Sequence, residues 1–143
     1  MKILILGAGR VGSSLASTLS KQSYEVSIVD LNKDKLQSLQ QDFDLATEVG
    51  HCSYPSTLKK AGADNETILL AVTNSDECNI TSCQIAKSKF NVQKTICRLS
   101  DASYLESLDA FGENNIDLAI SPENEVTEHL VDLIKHPGAE QIE

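Results

Sequence analysis

The sequence predicts an α/β fold: a doubly wound, six-stranded parallel sheet with helices on both faces. Three observations lead there. Short runs rich in Ile, Val and Leu alternate regularly with segments of helical composition. Several of those runs are apolar throughout, as strands covered on both faces require. A glycine-rich turn joins the first run to the first helix, and an acid closes the second run. Right-handed crossovers then favour the strand order 3-2-1-4-5-6.

Lys2 to Leu6 is the first strand, and Gly7-Ala8-Gly9-Arg10-Val11-Gly12 follows at once. A helix is expected over Ser13 to Lys21. Val26 to Val29 is the second strand and ends at Asp30, about 20 residues beyond the glycines. Asn32 to Gln41 is helical, with Leu36 and Leu39 spaced to face a core. Leu45 to Val49 is a third strand, closed by Gly50. Ser56 to Ala61 is a short helix stopped by Gly62, a residue suited to the left-handed position after a helix end. Thr67 to Thr73 is the clearest buried strand. Asp76 to Phe90 carries apolar residues at helical intervals, Ile80, Cys83, Ala86 and Phe90 among them. Lys94 to Leu99 is the fifth strand and Ser103 to Phe111 a further helix. Ile116 to Ile120 is the sixth strand. Glu123 to Lys135 is a last helix that ends before Pro137-Gly138.

The glycine turn has the Rossmann-like dinucleotide pattern, and each part has a physical task. Gly7 permits the tight turn out of the strand. Gly9 lets the backbone approach a pyrophosphate, and Gly12 lets the helix pack closely on the strand. The free N–H groups and positive dipole end of that helix face the phosphates. Asp30 is placed to accept hydrogen bonds from ribose hydroxyls. A glycine turn of purely structural purpose would leave Asp30 without a role.

A ligand of such a sheet lies beyond the carboxyl ends of its strands. Ala8, Arg10 and Val11 complete the glycine turn there, and Leu31 and Lys33 follow Asp30. His51 and Cys52 follow the third strand, where an adenine ring usually lies. Val72, Thr73, Asn74 and Glu77 follow the fourth, near the pyrophosphate and second ribose. Arg98 ends the fifth and offers a cation to phosphate or to the distal end of the ligand. Asn74 and Asp76 equally suit a loop and an N-cap, and Arg98 equally suits solvent. A carboxylate beside a ribose repels a 2′-phosphate, so NADP is disfavoured, with Lys33 close enough to soften the exclusion. NAD, NADH, ATP and ADP all present free ribose hydroxyls.

Composition narrows the function. The chain has 143 residues, enough for one domain with a useful core. A net charge of −9 and only 4% aromatic residues argue against a nucleic-acid partner. No apolar run approaches the ~20 residues of a spanning helix, and the start does not read as a signal peptide. The chain is read as soluble and cytoplasmic. Cys52, Cys78, Cys83 and Cys97 form no CxxC pair, and His51, His129 and His136 show no zinc spacing. Reduced thiols are the expectation, with His51 beside Cys52 as a source of thiol perturbation. No substrate lobe, tyrosine–lysine pair or histidine–acid pair is present for hydride-transfer chemistry. The pattern is that of a nucleotide sensor more than a catalyst.

The chain resembles the N-terminal nucleotide-binding domain, called TrkA-N, RCK or KTN, of TrkA-type regulatory subunits of bacterial potassium uptake. The resemblance runs over nearly all of it. It rests on Met1 to Gly12, Ile28-Val29-Asp30, Gly50 to Ser53 and Leu58 to Ala63, then on Ala71 to Asn79, Ser121-Pro122-Glu123 and Pro137-Gly138-Ala139.

The resemblance implies residues 1–136 as that domain, with 137–143 a tail or the start of a linker to an absent C-terminal domain. It implies a non-catalytic subunit, cytoplasmic and peripheral to the inner membrane, assembled as a homodimer or larger ring. The partner would be an integral-membrane potassium channel or transporter subunit, gated by ligand-dependent conformational change. The ligand would be NAD or NADH, alternatively ATP or ADP. The family's ligand positions that match are Gly7, Gly9, Arg10, Val11, Gly12, Asp30, Thr73 and Arg98. Glu123 becomes a metal candidate, since in some relatives that acid lies near an interfacial cation. Dimerisation is thought to use the last helix, where Leu130, Val131, Leu133 and Ile134 are apolar enough, although core packing explains some of them. Cys52 and Cys78 depart from the residues commoner at their positions. The alternatives are a small NAD-dependent oxidoreductase and an interaction scaffold with a degenerate site.

Overall fold

Strand β1 (Lys2–Leu6) runs through the middle of the sheet and founds two cores. Ile3 and Ile5 enter one and Leu4 and Leu6 the other, since side chains alternate between the faces of a strand. A computed structural model describes residues 1–111, 115–121 and 127–135, Glu128 by its backbone alone. The sheet is six-stranded and entirely parallel. Its order is β3 (Ala46–Val49), β2 (Glu25–Asp30), β1, β4 (Thr67–Ala71), β5 (Lys94–Arg98) and β6 (Leu118–Ile120), the doubly wound order expected.

The helices divide between the two cores. Helices α1 (Arg10–Ser20), α2 (Lys33–Asp42) and α6 (Thr127–Lys135) contribute Leu15, Leu19, Leu36, Leu130 and Ile134 to the Ile3–Ile5 side. Helices α3 (Pro55–Lys60) and α4 (Asp76–Phe90) contribute Leu58, Ile80, Cys83 and Ala86 to the Leu4–Leu6 side. The short α5 (Ala102–Leu105) packs there through Tyr104 and Leu105. The chain changes sides after β3, so β1 and β4 send their following loops apart. The cleft between those loops is where such a sheet holds a ligand.

Several boundaries differ from the sequence expectation, each for a local reason. Helix α1 begins at Arg10 rather than Ser13, because Gly9 is its N-cap and the Ser13 N–H already bonds the Gly9 carbonyl at 2.9 Å. Strand β4 stops at Ala71, two residues early. The single helix expected over Ser103 to Phe111 is α5 followed by a 3₁₀ turn at Leu108–Phe111. Bonds spanning three residues, Ser107 N–H to Tyr104 and Ala110 N–H to Ser107, separate the two. Strand β6 starts at Leu118, since the Asp117 carboxylate instead accepts the Thr95 N–H at 2.8 Å. Gly62 takes the expected left-handed conformation at φ 89°. Helix α4 ends on a left-handed Asn91 at φ 53°, which no glycine announces.

Helix α6 brings a correction. Leu130, Val131, Leu133 and Ile134, considered for a dimer surface, are all buried in this chain's own core. The expected helix start at Glu123 and the Pro137-Gly138 ending lie outside the described residues.

Position 12 tests the packing of α1 on β1. A Cβ there would sit 1.7 Å from the Gly7 carbonyl oxygen and 2.8 Å from its carbon, both backbone atoms. Gly12→Ala is expected to cost about 3 kcal/mol of unfolding free energy in urea titrations. A variant as stable as the parent would show that α1 can move off the strand.

Candidate functional site

The loops after β1, β2, β3 and β4 enclose a cavity of about 550 Å³ at the carboxyl edge of the sheet. Gly7 and Gly9 form one wall, with Asp30 and Leu31 beside them. His51 and Cys52 come from the loop after β3, and Val72, Thr73, Asn74 and Glu77 from the loop after β4 and the first turn of α4. Ten of the residues singled out in the sequence therefore meet in one cavity.

Asp30 has a structural duty as well as an exposed position. Its Oδ1 accepts the Ala8 N–H at 2.8 Å, and its Oδ2 accepts the Asn32 N–H at 2.8 Å. The carboxylate thus pins the glycine turn to the end of β2. This corrects the expectation that a structural turn leaves Asp30 without a role. The Gly7 N–H adds a bond to the Val29 carbonyl at 2.8 Å.

The glycines of the turn differ in what demands them. Gly7 is held at φ 105°, and a Cβ there would press on Thr73 Cα at 3.1 Å. Gly12 is demanded by the contact already described. Gly9 has an ordinary φ of −78°, and no atom of the described residues lies within 4 Å of where its Cβ would stand. Among the described residues, nothing requires a glycine at position 9.

Helix α1 also differs from α2 and α4 at its N-terminus. The Asn32 side chain accepts from the Asp34 and Lys35 N–H groups, and Asp34 stands in the first turn of α2. Ser75 accepts from the Cys78 N–H, and Asp76 and Glu77 stand in the first turn of α4. Helix α1 has neither a side-chain cap nor an acid in its first turn. Its amide end remains positive and open to an anion.

The opposite wall is held by Asn79, which is fully buried. Its Oδ1 accepts from the Thr73 N–H at 3.0 Å and the Thr73 hydroxyl at 2.6 Å. Its Nδ2 donates to the Thr73 carbonyl at 3.1 Å and the Arg98 carbonyl at 2.9 Å. Arg98 Nη1 also donates to the Thr73 carbonyl, at 3.0 Å. The arginine thus braces the wall from behind and is not among the lining residues. Asp76 ties the next loop, accepting from the Ser100 and Asp101 N–H groups at 2.9 Å. Ser75, not Asp76, is the N-cap of α4.

The remaining candidates lie around the cavity. Arg10 opens on an adjoining hollow of about 420 Å³, with Ser13 and Asp42. Ala8 lines that hollow too, while Val11 and Gly12 face inward, against the core and β1. Lys35, one turn into α2, lines both spaces in place of the expected Lys33. Ser53 and Ser75 line the larger cavity as well, and sequence reasoning missed Cys78 and Thr81. Thr81 follows Cys78 by three residues on α4, so helical periodicity from Glu77 was the available signal. Glu123 lies outside the described residues.

His51 and Cys78 give the cavity an electrostatic asymmetry. The His51 ring stacks on Tyr54 at 4.4 Å, and its Nδ1 accepts the Ser53 N–H at 3.3 Å. Cys78 is drawn down to about 6, first by the Cys52 thiol that hydrogen-bonds it, then by the Ser82 and Thr73 hydroxyls and by nearby His51. Cys52 moves the other way, raised by the same pairing and by burial, with Asp30 adding to the effect.

The family profile of the TrkA-N domain matches residues 3–122. The chain belongs to the TrkA-N domain family. The Trk system potassium uptake protein TrkA of Vibrio alginolyticus is 43% identical to it over 145 residues, taking in 99% of this chain and 32% of that protein. The chain therefore spans about a third of the length of that relative. Among solved structures, the NAD(P)-binding domain of an exopolyphosphatase-related protein from Archaeoglobus fulgidus has a TM-score of 0.73 at 20% identity, covering 93% of this chain and 96% of that one. The GsuK channel bound to NAD has a TM-score of 0.66 at 18% identity, covering 83% of this chain and 21% of that one. These likenesses carry the TrkA-N fold, a Rossmann-like sheet. Among the described residues no helix is long and apolar enough to cross a membrane.

Asn79 is the test of how the TrkA-N cavity is held. Removing its amide takes away the partner of the part-buried Thr73 N–H and the amide donor to the Arg98 carbonyl. Asn79→Ala is expected to lower stability by about 2–3 kcal/mol in urea unfolding. A loss below about 0.5 kcal/mol would mean that water replaces the amide without cost.

Proposed function

We propose that this domain binds an adenine nucleotide, NAD or NADH or alternatively ATP or ADP, in the cavity beside the glycine turn. Binding would regulate a membrane potassium channel or transporter subunit. Gly9 carries the reading. Among the described residues, it is a glycine that neither backbone strain nor neighbouring atoms demand, at the mouth of a helix with no side-chain cap. A ligand phosphate approaching the backbone supplies the missing reason.

The rest of the cavity suits such a ligand. Its volume of about 550 Å³ falls within the range of small-molecule sites. Leu31 is 68% exposed and offers apolar surface to a base beside His51. Asp30 retains acceptor capacity for ribose hydroxyls beyond its two backbone bonds. Its charge opposes a 2′-phosphate, while Lys35 on the same cavity partly offsets it. The residues that would hold the nucleotide are Gly7, Ala8, Gly9, Asp30, Leu31, His51, Thr73 and Asn74.

The partner is inferred from the family. The relatives are named as Trk potassium uptake proteins, and GsuK is a channel whose structure holds NAD. A ligand in this domain can bias such a partner only by its differential affinity for two states. The domain would act from the cytoplasmic side as a homodimer or ring, without turnover of its nucleotide.

Thermal unfolding with NAD, NADH, ATP, ADP and NADPH tests the reading. A ligand at 100 times its dissociation constant adds about 2.7 kcal/mol of stability. Shifts are expected with the unphosphorylated ribose ligands and little with NADPH. Gly9→Ser should keep the unliganded stability within about 0.5 kcal/mol, since serine is a good N-cap. The added side chain should abolish the ligand shift. No shift with any nucleotide sinks the proposal, as would an unchanged shift in Gly9→Ser. Reduction of NAD with an added metabolite would point to an oxidoreductase instead. Asp30→Ala is a poorer probe, because it also releases the glycine turn.

A further inference from the structure

The nucleotide reading uses backbone amides, a carboxylate and apolar surface, and leaves the sulfur chemistry of the cavity without a task. Cys52 and Cys78 both line it, one from the loop after β3 and the other from the start of α4. Cys52 is 6% exposed, its thiol directed to the Val29 carbonyl at 3.7 Å. Cys78 is half-buried in the first turn of α4. The two side chains are neighbours in that wall, each shifting the ionisation of the other.

Cys83 and Cys97 provide an internal comparison. They too are neighbours that influence each other's ionisation, but both are fully buried between α4 and the sheet. Of the two facing pairs, one opens to a cavity that solutes can enter.

We propose that Cys78 and Cys52 form a redox-active dithiol in the cavity wall, converted by hydroperoxides into an intrachain disulfide. This goes beyond the nucleotide reading and does not rest on it.

The division of roles follows from the surroundings. Cys78 is the attacking sulfur: it is the more exposed, and neighbouring Cys52 and His51 favour its thiolate. Glu77 on the same turn and Asp30 across the cavity are the opposing charges. The Cys78 thiolate attacks one peroxide oxygen. The O–O bond breaks, a sulfenic acid forms, and the second oxygen leaves and takes up the proton that Cys78 had released. Cys52 then attacks the sulfenyl sulfur. The S–O bond breaks, the S–S bond forms, and the Cys52 proton leaves with the oxygen as water. Two thiols lose two electrons, and one hydroperoxide is reduced to water and an alcohol, or to two waters from hydrogen peroxide. Loss of the Cys78 negative charge in the first step removes the main influence that keeps Cys52 protonated.

The product would tie the loop after β3 to the first turn of α4, joining two walls of the cavity. The oxidation state of the pair would thus be written into the shape of the cavity.

The experiment treats the reduced, ligand-free protein with hydrogen peroxide, then blocks remaining thiols with N-ethylmaleimide in denaturant for mass spectrometry. Labelled thiols should fall from the four of the sequence to two. Trypsin should yield a crosslink between residues 36–59 and 61–87. The second peptide also holds Cys83, so Cys83→Ala should keep the crosslink and Cys78→Ala should lose it. Iodoacetamide labelling of folded protein should be half-maximal near pH 6 at Cys78, rather than near the ~8.5 of an ordinary thiol. Four thiols still labelled after peroxide, sulfinic acid at Cys78 without a crosslink, or a crosslink that survives Cys78→Ala would each overturn the proposal.

Discussion

Helix α1 sits where it does only because position 12 has no side chain. The helix lies so close to the turn leaving β1 that a single methyl group would overlap the Gly7 carbonyl. That contact sets the height of the helix start above the sheet edge, and so where its unpaired amides point. Gly7 is then confined from the other side by Thr73, and its N–H is held by Val29. The glycine turn is thus wedged among three strands. Its shape is imposed by neighbours, not by its own flexibility.

Two polar clips complete the frame, one on each side of the cleft. Asp30 joins the loops after β1 and β2, while Asn79 joins those after β4 and β5. Each satisfies backbone groups that no ladder can reach, because parallel strands splay beyond their last paired residue. Buried polar groups left unpaired are costly, so these clips hold the loops in one conformation. A ligand entering a cleft framed in this way has little left to order, and more of its contact energy appears as affinity.

The fold was legible because strands buried on both faces are written as uninterrupted apolar runs, as in Ile68 to Ala71 and Ile3 to Leu6. The strand order followed from chirality and the position of the glycine turn. Element ends were less legible, since they depend on which side chain captures an end group. Asp117 shortens β6, Gly9 starts α1, and Asn91 ends α4 by adopting a conformation its sequence neighbours do not advertise. At the cavity, residues tied to the backbone path could be placed from sequence, as with Gly9, Asp30 and Thr73. Those whose role depends on side-chain direction could not. Arg98 turns back to brace Thr73, and Lys35 replaces Lys33 because helix α2 presents a different face. Apolar spacing in α6 could not say whether its stripe meets this chain or another.

The parallel ladder has a consequence for the order in which the molecule can be assembled. Strand β1 pairs with β2, within 30 residues of the amino terminus, but its other edge waits for Thr67–Ala71. Gly7 likewise gains its final neighbour only when Thr73 arrives. A nascent chain that stops short of β4 therefore holds a half-sheet with one bare hydrogen-bonding edge, and apolar side chains of β1 without their neighbours. Closing that edge requires a long-range pairing, the slow kind in folding. The central strand thus waits with one edge open until β4 is reached, so the segment that anchors the native sheet is exposed to mispairing in the meantime.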